Sequence, residues 1–105
     1  MVRRVRVSGK AQVHARHLVT GGCDTEKNFI VAAIYHAETG SLEAQEFRQY
    51  QVDALRAAEW FLSQKVELVV IESTANYHLL YYDTLRQQGV NITVINPMVV
   101  KSLLR

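Results

Sequence analysis

Two acidic residues stand where an acid can do chemistry. Asp24 closes a short β-prone stretch, and Glu72 closes the apolar run Leu68-Val69-Val70-Ile71. Carboxylates at the tips of neighbouring strands repel each other unless a proton or a cation lies between them. A hard divalent ion with oxygen ligands, Mg²⁺ or Mn²⁺, is the natural occupant of such a pair. Two such ions about 3.5–4 Å apart activate a water or hydroxyl and steady the leaving oxygen in phosphodiester chemistry. Each acid also has an ordinary reading: Asp24 as a turn residue, Glu72 as a helix-start acid favoured by the dipole. The elements that carry the two acids decide between these readings.

A regular pattern begins near His17. Residues 18–23 read as a first strand, whose Gly21 and Gly22 call for another backbone packed close. Residues 28–36 are an unbroken apolar run, a strand covered on both faces, and 42–49 read as a more polar edge strand. Polar turns at 24–27 and 38–41 make these three strands a double hairpin. A helix is expected over 52–64, with Val52, Leu55, Ala58 and Leu62 on its apolar face. A fourth strand follows at 67–72, and a second helix at 75–88 with Ser73 or Thr74 as its cap and Gly89 at its end. A fifth strand spans 91–95, and Asn96-Pro97 opens a third helix. Hairpins make the first three strands antiparallel neighbours, and right-handed crossovers make the later ones parallel. The spatial order 3-2-1-4-5 satisfies both rules. It is the plan of the α/β ribonuclease H-like fold, and it sets the first strand beside the fourth. A doubly wound nucleotide-binding fold does not begin with two hairpins, and the chain has no Gly-x-Gly-x-x-Gly.

The 105 residues make one domain, 49% hydrophobic and 21% charged, which excludes a disordered chain. A single cysteine, Cys23, excludes a disulfide framework and a cysteine-rich zinc site. Cys23 has no neighbouring histidine or basic residue in sequence that would make it a nucleophile. No apolar run is long enough to span a bilayer and no signal-peptide core follows the charged start, so a soluble cytoplasmic protein is expected. Charge is unevenly spread: residues 1–20 carry +5 and the other 85 carry −3. A basic arm at 1–16, with Arg3, Arg4 and Arg6, thus precedes a mildly acidic domain at 17–105. Such an arm either lies along phosphates with salt-sensitive affinity or only aids solubility. Lys27 and Thr74 stand near the two acids in sequence, and Lys101 falls on the incipient last helix; each is a candidate nucleic-acid contact.

Three blocks carry a family likeness. Gly22-Cys23-Asp24-Thr25-Glu26-Lys27 resembles the opening Gly-x-Asp-x-x-Lys of the DEDD insertion-sequence transposases, which are related to the Piv pilin-gene invertase and have a RuvC-like catalytic domain. The segment from Val69 to Tyr77 resembles their strand ending in Glu-x-Thr-Gly-x-Tyr, with Ala75-Asn76 where a glycine is usual. Val94-Ile95-Asn96-Pro97-Met98-Val99-Val100-Lys101 resembles their Val-x-Asn-Pro-x-x-Val-Lys segment. The resemblance implies a DNA recombinase that uses four acids and Mg²⁺ or Mn²⁺, with Asp24 as the first acid and Glu72 as the second. It implies DNA as a partner and, for some members, a guide RNA. The family's last two aspartates follow the Asn-Pro block, and no Asp occurs here after Asp83. The chain is therefore expected to be an N-terminal piece of a transposase with half of the metal site and little activity of its own. Surface left uncovered in such a piece would favour a homo-oligomer. The competing expectations are a non-catalytic module that binds nucleic acid or oligomerises, and a fragment of an actin-like phosphotransferase.

Overall fold

The computed structural model describes residues 18–96. Their elements are β1 (Val19–Thr25), β2 (Phe29–His36), β3 (Ser41–Arg48), α1 (Gln51–Ser63), β4 (Leu68–Glu72), α2 (Leu79–Gln87) and β5 (Ile92–Ile95). The strands form one mixed sheet in the order β3-β2-β1-β4-β5. β1, β2 and β3 are antiparallel neighbours, whereas β4 runs parallel to both β1 and β5. This is the ribonuclease H-like plan. The short connections force it: the β1–β2 turn is closed by the Glu26 N–H donating to the Phe29 carbonyl at 2.9 Å, too short a link for a crossover.

The core lies between the two helices and one face of the sheet. Alternation along β2 buries Ile30, Ala32 and Ile34, and β4 adds Val69 and Ile71 to the same face. α1 meets this face with Ala54, Ala57, Ala58 and Phe61, not with the expected Val52, Leu55 and Leu62, which are exposed. Side-chain size explains the rotation. An alanine stripe lets the helix approach closely, and Phe61 fills the space that Gly21 leaves open. A Cβ on Gly21 would stand 2.7 Å from Phe61 Cε1 and 3.1 Å from Val69 Cγ2. Gly21 is thus answered by a side chain, whereas Gly22 faces the Val70 backbone carbonyl, 3.8 Å from where a Cβ would stand.

Both helices end in the same way. The N–H of Val66 reaches the Phe61 carbonyl and that of Val90 reaches the Leu85 carbonyl, around Lys65 at φ 57° and Gly89 at φ 93°. The start of α2 departs from the sequence pattern. Ala75 sits at φ 50°, in the left-handed region, and so cannot belong to a right-handed helix over 75–88. α2 begins only at Leu79, without a side-chain cap. Ser73 and Thr74 therefore do not cap it, and the Ser73 hydroxyl donates instead to the Ile95 carbonyl at 3.3 Å. The helix expected from Pro97 and the basic arm at 1–16 lie outside the described residues.

Gly21→Ala should overpack the contact with Phe61 and destabilise the domain by about 1–3 kcal/mol. Urea unfolding should show a lower midpoint with an unchanged slope.

Candidate functional site

The site is built by register. β1 and β4 pair in parallel through Thr20–Leu68, Gly21–Val69, Gly22–Val70 and Cys23–Ile71. One step further sets Asp24 opposite Glu72 on strands about 4.8 Å apart. Cys23, Thr25 and Ile71 are buried against the helices, so alternation sends both acids to the opposite face. Asp24 is exposed and Glu72 is half-buried. Neither points into the apolar core, and both stand at the carboxyl end of parallel strands, where open α/β sheets bind ligands.

The same open-face row contains Glu46 on β3, opposite Val31, which is itself opposite Asp24. Glu46 is two strands from Asp24, about 10 Å, and does not join the pair. Among the described residues no group of three or more His, Cys, Asp and Glu gathers around one point. Two carboxylates are nonetheless a sufficient protein contribution for Mg²⁺, which usually keeps several waters and takes oxygens from substrate phosphates. The donor chemistry of Asp24 and Glu72 fits such an ion.

Two side chains tie the acid-bearing tips together. The buried Thr25 donates its hydroxyl to the Glu72 carbonyl at 3.3 Å, across the β1–β4 boundary. Gln49, between β3 and α1, donates its amide to the carbonyls of Glu26 and Tyr77, in the loops that follow the two acids. Sequence reasoning missed both. Thr25 reads there as a turn residue, and a lone glutamine after a strand carries no pattern.

The remaining candidate contacts divide. Lys27 lies exposed in the β1–β2 turn, beside Arg48 and Tyr50 on the rim of a hollow of about 480 Å³. Thr74 is exposed in the turn after Glu72, where its carbonyl accepts the Tyr77 N–H at 3.1 Å. Both are at the sheet edge that carries the acids. Lys101, Arg3, Arg4 and Arg6 lie outside the described residues. A slightly larger hollow, about 510 Å³, opens between Phe47, Arg56 and Trp60. Phe47 belongs to the helix-covered face of the sheet, so this hollow does not serve the acids.

Burial pushes the Cys23 thiol from 9.0 up to about 12, so next to Asp24 sits a neutral thiol and not a nucleophile. Cys23 in the folded chain should resist thiol reagents at pH 8 and react only after denaturation. The unfolded thiol ionises near its ordinary value while the folded one does not. Stability should therefore be intact below pH about 9 and fall by about 1.4 kcal/mol per pH unit between about 9 and 12. Buried Tyr81, raised by burial and by the nearby Asp53 charge, adds to this loss in the alkaline part of the range. At the loop after Glu72, Ala75→Gly should relieve the left-handed strain and stabilise the domain by about 1 kcal/mol, read as a higher urea midpoint.

Solved structures show where this architecture recurs. A protein of Bacteroides thetaiotaomicron with an actin-like ATPase fold and unknown function matches with TM-score 0.59 and 12% identity, over 88% of this chain and 40% of its own. The nuclease domain of the large terminase subunit of bacterial virus Sf6, solved with manganese, matches with TM-score 0.53 and 16% identity, over 78% and 38%. The PPX-GPPA enzyme of Aquifex aeolicus matches with TM-score 0.51 and 14% identity, over 76% and 36%. The chain thus spans less than half the length of each, and these likenesses establish the fold alone. No curated protein matches the chain in sequence. The family model that does match is a transposase model, aligned over residues 21–105, which contain both acid-bearing blocks. The chain belongs to the IS110-type DEDD transposase family.

Proposed function

We propose that this chain carries part of the metal centre of a transposase that acts on DNA phosphodiesters, with Asp24 and Glu72 as the catalytic, metal-holding acids. The observation that supports this most is the β1–β4 register, whose next step beyond Cys23–Ile71 would bring the two acids onto adjacent strands of the open face. A bound Mg²⁺ or Mn²⁺ supplies Lewis acidity toward a phosphoryl oxygen and a more acidic water. The chain's residues do the rest. The sheet places the two acid-bearing positions on adjacent strands, and the face they occupy is free of both helices. Lys27 and Thr74 flank the acids at the sheet edge, where a cation and a hydroxyl position phosphate oxygens without reading sequence. Arg3, Arg4, Arg6 and Lys101 are the further proposed phosphate contacts, whose charge would make the affinity fall with salt.

The gathering of two acids, and not three or more, among the described residues favours one second reading: the chain binds DNA and does not itself cut it. Titration with Mn²⁺ separates the two. Saturable binding that weakens at least about tenfold in Asp24→Asn and in Glu72→Gln is expected of the metal centre. Equal Mn²⁺ affinity in wild type and both variants, with DNA still retained, would leave only the binding module. In either case the chain alone should show little or no Mg²⁺-dependent cleavage.

A further inference from the structure

One side chain joins the loops that follow the two acids. The Gln49 Nε2 donates to the Glu26 carbonyl at 3.1 Å and to the Tyr77 carbonyl at 2.7 Å. Glu26 stands two residues past Asp24 and Tyr77 five past Glu72. A primary amide has two N–H donors, and here both are used. Both partners are carbonyls, so the nitrogen end of the amide is the one that must face them.

Gln49 is itself tied to the β1–β2 turn by its backbone and stands next to a residue anchored on the core. Its backbone N–H donates to the Asn28 carbonyl at 3.1 Å. The preceding residue, Arg48, is gripped at both of its backbone groups. Its N–H donates to Asp53 Oδ2 at 2.8 Å, and its carbonyl accepts the Tyr81 hydroxyl at 2.6 Å. Tyr81 is fully buried. The amide of Gln49 thus reaches both loops from a position next to Arg48, whose carbonyl is anchored on the buried Tyr81.

We propose that Gln49 is a positioning residue that sets the spacing between Asp24 and Glu72; this rests on the metal-centre reading above. The β1–β4 ladder ends at Cys23–Ile71, one residue short of the acids. Beyond it Asp24 keeps its pairing with Val31 and Glu72 its pairing with Ile95, but the β1–β4 register no longer joins the two, and carboxylates there repel. The Thr25 hydroxyl ties the strand tips, and the Gln49 amide ties the loops, so the acids meet a cation at a spacing already fixed. Groups that orient metal ligands from outside the ligand set typically change metal affinity by about 10–100-fold when lost.

The test compares wild type with Gln49→Met, which keeps the length and loses both donors, and with Gln49→Asn, which keeps the amide but is too short to reach both carbonyls. Amide hydrogen exchange and Mn²⁺ affinity are measured on the same proteins. The proposal expects faster exchange in residues 26–28 and 74–77 together, and Mn²⁺ binding weakened about tenfold. Faster exchange confined to residues 49–53 would overturn it. So would loosening of both loops with Mn²⁺ affinity unchanged. If wild type binds no Mn²⁺ while the variants still loosen both loops together, the metal reading has failed and the tie between the loops stands. Using two variants guards against one that does not fold.

Discussion

Parallel pairing of β1 with β4 sets two like charges next to each other on an open face. Two unit charges 4 Å apart repel by about 1 kcal/mol in bulk water and by about 4 kcal/mol near a protein surface. A surface residue pair under no other constraint would simply rotate apart. These two are carried on a ladder whose other side is the apolar core, and slipping the register by one residue would send that whole core face to solvent. Burial of Cys23, Val69 and Ile71 therefore decides which face the acids occupy, as a by-product of packing the sheet. Under the proposed reading, a divalent cation would turn the resulting repulsion into attraction.

The packing that holds this register depends on small residues. Gly21 admits Phe61, and the alanines of α1 let the helix lie close to the sheet. On the other side of the acids, the loop after Glu72 accepts a left-handed alanine where the family pattern has glycine. Gln49 holds that same loop through the Tyr77 carbonyl.

Strand order and the pairing of β1 with β4 were legible in the sequence, because turn lengths decide which strands are antiparallel and helical crossovers decide which are parallel. Asp24 and Glu72 followed from that order. The face of α1 was not legible. Hydropathy favours Val52, Leu55 and Leu62, whereas close approach to Gly21 favours alanines, and a single sequence does not show which strand a helix will cross. The start of α2 was hidden for a related reason: the apolar period continues through Tyr77, and nothing in residue type announces that Ala75 turns left. Thr25 and Gln49 were invisible because their partners are backbone carbonyls, which every residue has. The family model gives a transposase domain, and the strand order gives a ribonuclease H-like fold. A fold shared with an actin-like protein and a PPX-GPPA enzyme leaves chemistry to the site itself.

The most direct measurement is anomalous diffraction from crystals of the chain soaked in Mn²⁺. The account predicts an anomalous peak between the Asp24 and Glu72 carboxylates, within about 2.5 Å of an oxygen from each. A peak elsewhere on the domain, or the two carboxylates turned apart with no metal between them, would contradict it.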